Sequence, residues 1–76
     1  MGAHHVVLYT RKGCHLCDQA RDLLRQYGLE PDLVDIDQEP ELRQRYDLCV
    51  PVVTFDGKER FRGQINETLL RRLLFK

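Results

Sequence analysis

Val6-Val7-Leu8-Tyr9-Thr10-Arg11-Lys12-Gly13-Cys14-His15-Leu16-Cys17 is the stretch on which the fold turns. Its first five residues are β-branched, aliphatic or aromatic and predict a strand. Lys12-Gly13 ends that strand with a turn. From Cys14 onward the apolar spacing changes: Leu16, Ala20, Leu23, Leu24 and Tyr27 recur at helical intervals, with Asp18, Gln19, Arg21, Arg25 and Gln26 on the other side. Strand, Gly-containing turn, two thiols and helix start therefore follow one another in twelve residues. Cys14 and Cys17 are three positions apart, so both fall within the first turn of the helix. A Cys-x-x-Cys in that position reads as a dithiol/disulfide redox pair.

Working outward, Gly28 follows the last periodic residue, where a left-handed helix cap belongs, and Pro31 blocks any continuation. Leu33, Val34 and Ile36 predict a second strand, ending in Asp37-Gln38-Glu39. Pro40 suits the first turn of a shorter helix containing Leu42 and Tyr46. Val52-Val53-Thr54-Phe55 predicts a third strand. Asp56-Gly57 is a two-residue hairpin turn, and Lys58 to Arg62 return as a fourth strand. Asn66 suits the N-cap of a last helix carrying Leu69, Leu70, Leu73 and Leu74, with Arg71, Arg72 and Lys76 toward its negative end. The order is β-α-β-α-β-β-α. The first two strands should be parallel through a right-handed crossover, and the hairpin adds antiparallel strands to the same sheet, giving an α/β class with helices on both faces.

Composition narrows the function. The chain has 76 residues, enough for one domain, residues 1–76, with a core so small that most apolar side chains must be buried. Twelve Lys and Arg balance twelve Asp and Glu, which argues against nucleic acid or an anionic membrane as the main partner. No apolar run approaches the roughly 20 residues of a membrane span. Met1-Gly2-Ala3-His4-His5 lacks a basic stretch followed by a long apolar one, so no secretory signal is expected, and His4 and His5 are given little weight. Three cysteines are too few for a disulfide-built secreted domain. A reducing, cytoplasmic setting is the expectation. Nothing demands more than a monomer.

At the start of the helix, unpaired backbone N–H groups and the positive dipole end would stabilise a thiolate on Cys14, with Arg11 and Lys12 adding nearby charge. Cys14 is then the attacking sulfur, and Cys17, one turn further in, the resolving one. Two rival readings stand beside this. The cysteines could be inert and buried. Alternatively Cys14, Cys17, Cys49 and a histidine could form a tetrahedral zinc set, although only one Cys-x-x-Cys occurs, without a second pair at zinc-finger spacing. A non-catalytic metal-binding or partner-docking module is the corresponding alternative function. No tightly bound cofactor is expected.

The stretch Val7 to Cys17 resembles the glutaredoxins, and most of all the small glutaredoxin-like proteins that carry Cys-His-Leu-Cys followed by Asp. Val50-Pro51-Val52-Val53 resembles the family's Val-Pro turn, and Asp56-Gly57 its hairpin. The resemblance implies a thioredoxin-like (glutaredoxin) fold with a small mixed four-stranded sheet, and thiol–disulfide exchange on disulfide-containing proteins or small thiols, with glutathione as a possible co-substrate. It implies a cis peptide before Pro51, whose otherwise low base rate would not suggest one, and a role for Val50 and Pro51 in docking an extended substrate backbone. It implies that Arg11 meets a substrate carboxylate. The family's Gly-Gly and following acid align with Arg62-Gly63 and Asn66. Here one glycine is a cation and the acid is neutral, so Gly63 and Asn66 are carried over as binding positions with altered chemistry. The Pro-Tyr between the family's cysteines is His15-Leu16. His15, if protonated, would stabilise the thiolate; otherwise it is an exposed polar residue. Cys49 reads as a bystander more readily than as a third redox thiol. Tyr9 and Tyr46 are expected in the core, Phe55 and Phe61 across the hairpin, and Asp35 and Asp37 facing solvent.

Overall fold

The computed structural model describes residues 4–46 and 50–75. Cys49 lies outside them, so its expected role has no structural counterpart here. Four strands, β1 (Val6–Thr10), β2 (Asp32–Asp35), β3 (Val52–Phe55) and β4 (Lys58–Arg62), form one sheet in the order β2-β1-β3-β4. Three helices, α1 (His15–Gln26), α2 (Pro40–Tyr46) and α3 (Glu67–Leu74), complete it. β1 runs parallel to β2 and antiparallel to β3, which pairs antiparallel with β4.

Alternation along β1 sorts its side chains onto two faces. Val6 and Leu8 pair with Phe55 and Val53 and share a core with Ala20 and Leu24 of α1, Phe61 of β4 and Leu70 of α3. Tyr9 pairs with Val52 and turns to the opposite face, where Val52, Ile36 and Tyr46 are buried together, with Leu42 and Val50 packed against them. α1 and α3 thus cover one face and α2 the other. Tyr9 and Tyr46 stack with ring centroids 5.0 Å apart, and Phe55 meets Phe61 edge-on across the hairpin at 6.3 Å, as expected for both pairs. The Asp56-Gly57 turn has both residues at positive φ, 53° and 86°, the geometry whose twist matches a two-residue hairpin. α1 ends in a Schellman arrangement: Gly28, at φ 79°, donates to the Arg25 carbonyl, and Leu29 donates to that of Leu24.

Three expectations need correction. Ile36 is not part of β2. The last pair of the β1–β2 ladder is Thr10 with Asp35, because β1 ends there. Lacking a partner strand, the chain turns into a short 3-10 segment, Ile36–Gln38, whose Asp37 amide is accepted by the Asp35 carboxylate. Leu16 and Leu69 hold helical spacing but are 45% and 46% exposed. Each sits in the first turn of its helix.

Candidate active site

The dithiol is placed by the end of β1 and the start of α1. After Thr10 the chain makes a tight turn in which the Cys14 amide donates to the Arg11 carbonyl at 3.3 Å. Gly13 occupies the third position at φ 78°, a conformation that a side chain would strain. Cys14 is the N-cap of α1: its backbone is extended, its carbonyl accepts from the Asp18 amide at 3.2 Å, and its Sγ accepts from the Cys17 amide at 3.2 Å. A thiol here takes the place of the oxygen that usually caps a helix. One first-turn amide of the helix, of a kind normally left without an intrahelical partner, is thereby aimed at sulfur.

The two sulfurs differ in environment. Cys14 is partly exposed and Cys17 is 1% exposed; both are free thiols. Burial is the main reason the Cys17 thiol is pushed above the ordinary range, and its hydrogen bond with Cys14 and the proximity of that sulfur push it further. The Thr10 side chain and the Arg11 backbone act on Cys17 in the other direction. One side chain is therefore partly open to solvent and the other is held behind it in the first turn of α1.

The Val50–Pro51 peptide is cis, as the resemblance implies. Pro51 is buried and immediately precedes Val52, the partner of Tyr9 near the end of β1. The Gly63 amide donates to the Pro51 carbonyl at 2.7 Å, which brings these two predicted positions together. Val50 is half-buried against the α2-side core. Asn66 caps α3, its Oδ1 accepting from the Leu69 amide at 3.3 Å; the capping expectation holds, and that oxygen is engaged within the protein. His15 is the exposed first residue of α1. Arg62 pairs with Glu59, Nη2 to Oε1 at 2.6 Å.

Arg11 is the position where the structure adds most. Its Nε and Nη2 donate to Asp37 Oδ2 and Oδ1 at 3.1 and 2.7 Å. Hydrogen bonding to this guanidinium holds the Asp37 carboxyl below the usual carboxylate range, with Arg43 adding a smaller attraction. Asp37 therefore does more than face solvent, and Asp35 holds the loop that carries it. Sequence reading missed Asp37 and Thr10 as neighbours of the site. Parallel pairing of β1 with β2 sets the ends of the two strands side by side, and that register was the signal available for Asp37, while Thr10 ends the strand that leads into the dithiol turn. Among the described residues no group of three or more His, Cys, Asp or Glu is arranged to hold a metal ion, and no helix is long and apolar enough to cross a membrane.

Comparison with known proteins places this geometry. A family model described as Glutaredoxin-like domain (DUF836) matches residues 5–75. The uncharacterized protein Rv0508 of Mycobacterium tuberculosis is 31% identical over 80 residues, which cover 93% of this chain and 82% of that protein. The solution structure of protein Ne2328 from Nitrosomonas europaea superposes with a TM-score of 0.84 at 25% identity, covering 96% of this chain and 93% of the other. The glutaredoxin grx-1 from Archaeoglobus fulgidus superposes at 0.68 with 22% identity, covering 99% and 90%, a likeness of fold. The architecture is the α/β thioredoxin-like one, β-α-β-α-β-β-α around a mixed four-stranded sheet.

Proposed function

The chain belongs to the glutaredoxin-like domain (DUF836) family, and from that premise we propose that it is a small thiol–disulfide oxidoreductase working through Cys14 and Cys17. One observation carries the reading: the exposed sulfur of the pair caps α1 and accepts a hydrogen bond from the Cys17 amide, while the Cys17 thiol lies buried against it.

In the forward direction the Cys14 thiolate attacks one sulfur of a substrate disulfide. A protein–substrate disulfide forms, and the substrate's other half leaves as a thiolate. Negative charge on the Cys14 sulfur faces the positive end of α1. Cys17 then loses its proton and attacks Cys14 Sγ, closing the Cys14–Cys17 disulfide and expelling the second thiolate. Two electrons and, after protonation of the products, two protons pass from the dithiol to the substrate. A thiol reductant returns the protein to its starting state, and glutathione is a candidate co-substrate for that half-reaction. Val50, Pro51 and Gly63 are the proposed backbone-docking positions for an extended substrate; Arg11, His15 and Asn66 are the proposed side-chain contacts. We place the protein in a reducing, cytoplasmic setting, acting as a monomer.

Thiol titration in a graded dithiothreitol redox buffer tests this reading. The expected result is a single two-electron transition that the Cys14→Ser and Cys17→Ser variants lack. Cys17→Ser should accumulate a stable mixed disulfide through Cys14 with its substrate. Cysteines 14 and 17 that never pair under mild oxidant would refute the proposal. Stoichiometric zinc in protein purified without chelator, together with unreactive thiols, would favour a metal-binding module instead.

A further inference from the structure

β4 is the last strand of the sheet, and a groove of about 210 Å³ opens between it and α3. From α3 come Leu69, Arg72 and Leu73, whose spacing sets them on one side of the helix. From β4 come Arg60 and Phe61. Phe61 is buried, Leu73 is half-buried and Leu69 is exposed, so apolar surface runs from the core out to solvent. A β-bulge in the hairpin accounts for Arg60. Val53 pairs with Phe61 and Thr54 with Glu59, which leaves Arg60 opposite no residue of β3. Strict alternation would turn Arg60 to the face away from Phe61. A bulge re-aims the extra residue, and here both side chains line the same groove.

Charge distinguishes this groove from the rest of the surface. Arg11, Arg21 and Arg62 are held by carboxylates of the protein itself. Arg60 and Arg72 are exposed and make no ion pair among the described residues. In a chain with as many acids as cations, two unneutralised arginines thus border one apolar recess. Its volume is below the roughly 300–1,000 Å³ of a site for a whole small molecule, and suits a single large side chain. We propose that the groove docks an acidic segment of a partner protein. One large apolar side chain of that segment seats among Phe61, Leu69 and Leu73, and its carboxylates pair with Arg60 and Arg72. None of the five lining residues takes part in the dithiol site, so docking here is independent of disulfide exchange. An anionic membrane fits less well, since lipid headgroups are gathered by clusters of about 4–8 cations.

The probe is a short synthetic peptide, blocked at both ends, with one Phe flanked on each side by Glu and Ser. It is titrated at low salt into the isotopically labelled full-length protein, and amide shifts in the nuclear magnetic resonance spectrum locate it. The shifts should saturate and cluster on Arg60, Phe61, Leu69, Arg72 and Leu73. Changing the peptide's Phe to Ala should weaken binding at least about tenfold, through the apolar area no longer buried. In the protein, Arg60→Gln and Arg72→Gln should each weaken it about threefold, the size expected of exposed ion pairs, and the double variant about tenfold. Added salt should weaken it as well. The amide spectrum of each variant checks its fold, and the peptide variants carry the test if a substitution disturbs it. Absence of saturable shifts, shifts centred elsewhere, or an affinity indifferent to the Phe or to the two cations overturns the proposal. Shifts at these residues on raising the protein concentration without peptide would assign the groove to a second copy of the chain. Sedimentation with phosphatidylserine vesicles that the double variant abolishes would assign it to a membrane. Either result overturns the proposal too.

Discussion

At the residue scale the two cysteines are chemically unequal because they occupy different positions in one helical turn. Cys14 precedes the helix and keeps its sulfur partly open, while Cys17 lies inside it, with 1% of its surface accessible. Limiting iodoacetamide should therefore label Cys14 at least about tenfold faster than Cys17, since the thiol must be reached before it reacts. Peptide mapping of partly labelled protein would check this, and equal labelling would contradict it. The raised Cys17 thiol makes a second prediction. Resolution of a mixed disulfide needs the Cys17 thiolate, and burial, the main cause of the shift, persists when Cys14 is bonded to substrate. The rate of resolution should keep rising with pH beyond the ordinary thiol value of about 8.5, measured by release of a chromogenic thiol from preformed adduct. A plateau below that value would contradict it. The placing of the two cysteines at the start of α1 was legible from spacing alone, because helix-start signals are local. Asp37 was not. Its partner Arg11 is 26 positions away, and only the register of β1 against β2 brings the two together.

At the element scale nearly every helix and strand was legible, because each carries its own boundary signals. Pro40 opens α2, Asp56-Gly57 turns the hairpin, and Asn66 caps α3. Ile36 failed for a reason no local pattern reveals. Its apolar character fits a strand, but β1 stops at Thr10, and a strand without a neighbour has nowhere to place its backbone hydrogen bonds. Leu16 and Leu69 failed similarly, since spacing marks a helix face but not how deeply each position on it is buried. The caps and core positions are quantitatively testable. Asn66→Ala removes the acceptor for the Leu69 amide and should cost about 1 kcal/mol. Leu24, fully buried between α1 and the sheet, should cost about 3 kcal/mol when changed to Ala. Urea denaturation followed by far-UV circular dichroism would measure both. A Leu24→Ala cost no larger than that of Asn66→Ala would mean the α1 face is not packed as described.

At the scale of the whole molecule, the segment before β1 extends the β1–β3 pairing onto the hairpin turn. The Asp56 amide donates to the His5 carbonyl at 2.8 Å, and its carboxylate accepts from the His5 amide at 2.9 Å and pairs with His4 Nδ1 at 3.0 Å. The hydrogen bond from His4, then that from the His5 amide, holds the Asp56 carboxyl below its usual range. A carboxyl with a lowered folded-state value favours the native protein at pH values above its unfolded value, about 3.9. That contribution is lost as the pH falls from the unfolded value through the lowered one, because over that range the unfolded chain binds the proton before the folded one does. Asp56→Asn keeps the positive φ of the turn, which Asn tolerates, and keeps an oxygen for the His5 amide, but removes the charge. Thermal melts should therefore find the wild type more stable than Asp56→Asn at pH 6, with the gap narrowing below about pH 4 and closing at still lower pH. Added salt should also reduce the gap, because the carboxylate is exposed and its attraction to the histidines is screened. A gap that stays constant through the acid range would place its origin in hydrogen-bond geometry rather than charge, and would remove Asp56 from the groups that set the protein's response to acid.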